Sequence, residues 1–246
     1  MSVNVGSYSI GEIYVGSDKI AEAYVGSELV YQAMRLPVKT FRFKFSDTSF
    51  DPSTTLASAN LTWTVANASR GLWDATSIIT GATPYRGLFK TLFTSTNMGS
   101  VTCELIGANT TGITDATEMF RNCNRLSSVC KMDLSTLDTA NFMFSDCTIL
   151  EEFPNMNLDN LAGANGMFQR CSVLQVVPDF GQLPNIATVG GMFYNCKFVY
   201  AGALALYNIL STRITTASRY SQCFRNCGAD TTTGAAELAQ IPSGWK

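Results

Sequence analysis

Apolar residues recur along the chain in three rhythms. From residue 5 to 34 the rhythm is ten residues long. Val5-Gly6-Ser7 returns as Val15-Gly16-Ser17 and Val25-Gly26-Ser27, with Ile10, Ile20 and Val30 in matching places. Between the Gly-Ser marks the pattern alternates, with Ile20, Glu22 and Tyr24 on one face and Ala21, Ala23 and Val25 on the other. Alternation punctuated by Gly-Ser predicts short antiparallel strands joined at those turns. A second rhythm follows: Thr40-Phe41-Arg42-Phe43-Lys44-Phe45 sets three Phe against Arg42 and Lys44, and Leu61-Thr62-Trp63-Thr64-Val65 alternates likewise. Both predict half-buried strands.

The third rhythm is the longest and begins near residue 86. Met119-Phe120-Arg121-Asn122-Cys123 is followed by Met143-Phe144-Ser145-Asp146-Cys147, Met167-Phe168-Gln169-Arg170-Cys171 and Met192-Phe193-Tyr194-Asn195-Cys196, at nearly equal steps. Cys223-Phe224-Arg225-Asn226-Cys227 is a degenerate last copy, and Leu88-Phe89-Lys90-Thr91-Leu92 a degenerate early one. A period of about 24–25 residues marks units that bury their apolar faces on one another. Phe and Cys three apart predict a short helical turn. The stretches bearing Val129, Met132 and Leu134, then Phe153, Met156 and Leu158, predict one short parallel strand per unit. Phe120, Phe144, Phe168, Phe193 and Phe224 are expected to stack as a spine. Cys123, Cys147, Cys171, Cys196 and Cys227 are expected beside it as a ladder of small, reduced, buried groups. The interval from Cys196 to Cys227 is longer than the others, which predicts an insertion with a helix over residues 203–210 and a cap from Gly234 onward.

The predicted fold is therefore a β-rich α/β solenoid, leucine-rich-repeat-like, with one short strand and one helical turn per repeat, preceded by a small antiparallel β region. Residues 1–35 form a ten-residue-repeat module for docking or oligomerisation, 36–85 a small β element, and 86–246 the repeats with their cap. Tyr14, Tyr24 and Tyr31 are the expected contact residues of the first module, because tyrosine offers apolar area with a polar tip.

The Met-Phe-x-x-Cys-x-x-Leu unit resembles the BspA-like leucine-rich repeats, including the form in mycoplasma lipoprotein-type surface proteins. There, segments like Asp133-Leu134-Ser135-Thr136-Leu137-Asp138-Thr139 precede each Met-Phe pair. The resemblance covers about half the chain and implies a right-handed solenoid used in adhesion or protein recognition. The tandem Tyr-Val-Gly-Ser repeats resemble stretches of bacteriophage structural proteins.

Composition narrows the chemistry. The 246 residues contain no histidine, which removes Ser-His-Asp triads, Cys-His dyads and His-ligated metals. A net charge of −2 from 17 basic and 19 acidic residues gives no electrostatic case for nucleic acid or an anionic membrane. No apolar run reaches a membrane-spanning length, and the N-terminus lacks a secretory signal pattern. No phosphate-binding glycine loop is present. A row of Lys131, Asp133, Asn155, Asn157 and Asp179 on outward positions admits calcium or a plain solvated face. The expected function is non-enzymatic, with no cofactor: a virion structural or fibre protein that binds its own copies, other virion proteins and a host-surface protein or glycan. A bacterial surface adhesin and an intracellular interaction scaffold are the alternatives.

Overall fold

A computed structural model of the chain describes residues 39–58, 60–77 and 85–246 in full. It also describes the backbone of four strands before them, β1 (Val3–Val5), β2 (Tyr8–Ile10), β3 (Glu22–Val25) and β4 (Glu28–Gln32). These strands make an antiparallel sheet in the order β1-β2-β3-β4, with Val3 opposite Ile10 and Val25 opposite Glu28. The alternating decapeptides thus pair as neighbouring strands.

The central element is a mixed five-stranded sheet. Its strands are β5 (Thr40–Phe45), β6 (Leu61–Asn67), β7 (Leu72–Ser77), β8 (Cys103–Ala108) and β9 (Leu126–Val129), in the order β6-β7-β5-β8-β9. All pairs are antiparallel except β8–β9. One face of β5 buries Phe41, Phe43 and Phe45 against Trp63, Phe89 and Phe93. On its other face Arg42 grips Asp74 with two hydrogen bonds of 2.7 and 2.8 Å, and Lys44 lies 3.6 Å from Glu104. The short helix α1 (Pro52–Thr55) is capped by Asp51, whose side chain accepts the Ser53 N–H, and α2 (Ser95–Met98) is capped by Thr94.

The regular structure is this mixed sheet, and it overturns the expected α/β solenoid with a strand and a helical turn in every unit. Among the units only the degenerate early copy and the first full one contribute strands, β8 and β9, which pair in parallel. The next ones contribute isolated parallel bridges on two lines, Ser128 to Glu152 and Val176 to Ala201 on one, and Asp115 to Thr139, Thr139 to Gly163 and Gly163 to Thr188 on the other. The Met-Phe-x-x-Cys run is not helical. Asn122, Asp146, Arg170, Asn195 and Asn226, each just before the cysteine, take φ between +56° and +62°. The position just before the methionine is left-handed too, at Glu118, Phe142, Gly166 and Gly191, as is Gln222 before Cys223. A left-handed residue every fourth place breaks a right-handed helix. What remains is a series of i to i+3 turns, such as Met119 N–H to Ala116 O at 3.1 Å and Cys123 N–H to Phe120 O at 3.1 Å. A three-residue spacing between Phe and Cys suits such a turn as well as a helix.

Successive turns are held in register by the amides that the turns leave over. Glu118, Phe120 and Asn122 each donate at 2.8 Å to Asn141, Met143 and Ser145 of the next unit. Phe142, Phe144 and Asp146 repeat the pattern onto Asn165, Met167 and Gln169 at 2.7–2.8 Å. Every buried amide of the run thereby finds an acceptor without forming a conventional sheet. After the last regular unit the chain inserts α3 (Ala203–Leu210) and α4 (Ala217–Tyr220), then closes with α5 (Thr232–Gln240). Glu237 of α5 accepts the Leu204 N–H at 3.1 Å, supplying the cap that Gly202 lacks.

Candidate functional site

The phenylalanines form one column. Phe89, Phe120, Phe144, Phe168, Phe193 and Phe224 stack with ring centroids 5.0, 5.2, 5.7, 5.2 and 6.2 Å apart and planes within 11° of parallel. Each ring is fully buried. Trp245 lies 6.4 Å beyond Phe224 and stacks on Tyr220 at 4.1 Å. At the other end Phe89 meets Phe41 and Phe43, so the column is continuous with the core of the five-stranded sheet.

The cysteines line the same column, and they do more than fill space. Cys123 donates its thiol hydrogen to Phe89 O at 3.0 Å, Cys147 to Phe120 O at 3.1 Å, Cys171 to Phe144 O at 3.1 Å and Cys196 to Phe168 O at 2.9 Å. The repeated residue is thus a small buried donor that ties each unit to the one before it. Serine would donate too, but at a greater cost of burial. All eight cysteines are free thiols, seven of them buried; Cys227 closes the series beside Phe224. Burial pushes the Cys123 thiol up to about 12 and the half-buried Cys130 up to about 11. Cys147, Cys171, Cys196, Cys223 and Cys227 are raised as well, first by desolvation. Raised and desolvated in this way, the buried thiols hold almost no reactive thiolate at neutral pH.

Of the expected contact tyrosines, Tyr24 lies on β3 opposite Leu29 and Tyr31 on β4 opposite Ala23. Tyr14 falls outside the described residues. The outward oxygens that resembled a calcium row are engaged by the backbone. Asp133 accepts the Ser135 N–H at 3.2 Å and hydroxyl at 2.7 Å, which lowers its pKa. Asn155 accepts the Asp179 N–H at 2.9 Å, and Asn157 the Asp159 N–H at 2.9 Å. Among the described residues no group of three or more His, Cys, Asp or Glu side chains is placed to hold a metal.

The surface offers two different faces. Along the turns runs a charged one, with Arg86–Asp115 at 2.6 Å, Lys90–Glu118 at 2.7 Å and Asp146–Arg170 at 3.3 Å. Each pair links neighbouring units, and each is exposed enough to add little stability. The other face follows the bridges. Tyr200 N–H donates to Gln175 O at 2.8 Å and Gln175 N–H to Glu151 O at 3.0 Å, which sets their side chains in one outward column. Beside it, Glu152 and Val176 belong to the next column. Here a shallow depression of about 160 Å³ opens, with Glu152, Asn155 and Gln175 as its polar lining and Val176, Pro178 and Tyr200 as its apolar one. Tyr200 is 45% exposed and Phe198, two residues earlier, 50%.

No protein family, curated protein or solved structure matches this chain. The functional reading therefore rests on these surfaces. Of the outward residues around the depression only Asn155 stands among the sequence expectations, as a member of the outward polar row. The depression's residues come from separate units, on columns whose identity changes from unit to unit: Ser127, Glu151, Gln175, Tyr200. A further signal lies in the alternation of Phe198 and Tyr200, both exposed, around the inward Val199, of which Tyr200 borders the depression.

Proposed function

We propose that the protein is a non-enzymatic structural and adhesion component of a bacteriophage virion. In this reading the N-terminal strands attach or oligomerise the chain, and the stacked repeats display an outward surface. The observation that carries the reading is the unbroken column from Phe41 to Trp245. It assigns the recurring residues to internal support and leaves the outer columns free to vary. Residues that vary on a fixed support are those that recognition uses. The ten-residue Val-Gly-Ser repeat and its pairing as antiparallel strands support a separate attachment role for the N-terminal segment. Short strands with little area of their own gain stability by meeting further copies.

Light scattering of the full chain and of a Tyr14→Ser/Tyr24→Ser/Tyr31→Ser variant tests this. The reading expects a defined oligomer that falls to monomer in the variant. A native monomer, or an oligomer indifferent to the three tyrosines, rejects the assembly role.

A further inference from the structure

The depression beside Tyr200 has a composition that narrows its ligand. Its polar groups are one carboxylate, Glu152, two amides, Asn155 and Gln175, and the Tyr200 hydroxyl; it has no basic side chain. An anion would meet repulsion from Glu152 and no compensating charge. At about 160 Å³, with nearly half its lining residues polar, it is too small and too wet for a drug-sized apolar ligand. The half-exposed ring of Tyr200 offers a flat apolar platform, extended by Val176 and Pro178. Gln175 gives one NH2 hydrogen to Glu151 Oε1 at 3.4 Å, which leaves its second hydrogen and its oxygen for a ligand, and the Glu152 carboxylate accepts strongly. Asn155 is fixed for this task, because its oxygen accepts the Asp179 N–H at 2.9 Å. Its NH2 has no protein acceptor among the described residues.

A ligand that presents an apolar C–H face on one side and a rim of hydroxyls on the other meets all these groups at once. We propose that this depression is a subsite for one uncharged sugar residue of a glycan, stacked on Tyr200 and hydrogen-bonded by Glu152, Asn155 and Gln175. The proposal rests on the adhesion reading above and gives it a ligand class. A single shallow subsite of this kind binds weakly, with a dissociation constant on the order of 1 mM. Useful adhesion then requires several copies on one particle, which the assembly role of the N-terminal strands supplies.

The test is a titration of the intact protein, followed by amide chemical shifts. The probes are neutral disaccharides built from glucose, galactose, mannose and N-acetylglucosamine, with tetramethylammonium chloride as a cationic control. At least one disaccharide is expected to shift the amides of Glu152, Phe153, Asn155, Gln175, Val176, Val177 and Tyr200. Tyr200→Ala is expected to weaken that binding about tenfold or more, Tyr200→Phe to retain it, and Glu152→Gln to weaken it several-fold. Both positions are exposed, so melting temperatures stay unchanged and a folding defect is separable. Silence with every sugar, binding indifferent to Tyr200→Ala, or a response to tetramethylammonium alone overturns the proposal. The same samples are weighed by light scattering. An oligomer without sugar binding rejects the subsite and leaves the assembly role standing, whereas sugar binding by a monomer does the reverse.

Discussion

At the scale of single residues the cysteine explains itself through hydrogen bonding. Each buried Phe carbonyl already accepts an N–H of its own turn, such as Cys123 N–H on Phe120 O, and the thiol of the next unit occupies its second lone pair with the least polar surface of any side-chain donor. Reactivity then follows from burial. With the Cys123 thiol near 12 and its neighbours raised by the same desolvation, almost no thiolate exists at neutral pH. Treatment of the folded protein with iodoacetamide is expected to leave the seven buried thiols unmodified, with slow addition at the half-buried Cys130 alone. Intact-mass spectrometry in buffer and in denaturant checks this. Rapid addition at several sites in buffer would show that the column opens.

At the scale of the element, the turn rather than the helix is the repeating object, and its left-handed residues are its weak points. Gly166 has φ +59°, and a Cβ there would lie 2.4 Å from the Phe142 ring. Gly166→Ala therefore combines backbone strain with a clash at a rigid ring and is expected to cost about 2–4 kcal/mol. Arg170 occupies the other left-handed position of the same unit at φ +59°. Arg170→Asn relaxes that backbone at the loss of one exposed ion pair and is expected to stabilise by about 0.5 kcal/mol. Urea unfolding of the two variants measures both. The same turn shows where sequence reading stops. The period, the inward Phe and Cys, the strands around Phe43 and Trp63 and the helix at 203–210 were all legible, because apolar spacing reports burial directly. The backbone of the turn was not. The place before the cysteine is Asn or Asp in four of five turns, a left-handed signal that the apolar period does not use, whereas the place before the methionine holds Glu, Phe or Gly and no single residue type marks it. The depression was hidden for a related reason: spacing places Asn155 on an outward row, but it does not show which outward residues of neighbouring units close around a shared hollow.

At the scale of the whole molecule the raised thiols act together. An unfolded cysteine titrates near about 8.5, whereas the buried ones hold their protons well above that. Below the unfolded value both states carry the proton and the stability is intact. As pH climbs above it, only the unfolded chain releases protons, so stability falls toward the folded values. Each buried thiol contributes about 1.4 kcal/mol per pH unit. With seven of them, a stability of ordinary size, about 5–15 kcal/mol, is consumed within roughly one to two units. Thermal melts from pH 7 to 11 are expected to show a steep loss above about pH 9. Cys147→Ala should make that slope shallower by one proton while lowering stability at pH 7. A flat profile to pH 11 would contradict the burial of the ladder.

The main-chain bonds that link one Met-Phe turn to another point the same way, each turn giving its hydrogens to the carbonyls of the turn that follows in sequence, while the Asn141 and Asn165 side chains accept in the reverse direction. On the ribosome the chain emerges in that same order. A newly made turn therefore waits with its donors open until the next unit has been translated. Phe224 waits for Trp245, whose carbonyl it reaches at 2.9 Å. A nascent chain interrupted anywhere along the array carries one raw, sticky rung at its growing end. Synthesis itself thus sets the order in which the column becomes safe from misassociation.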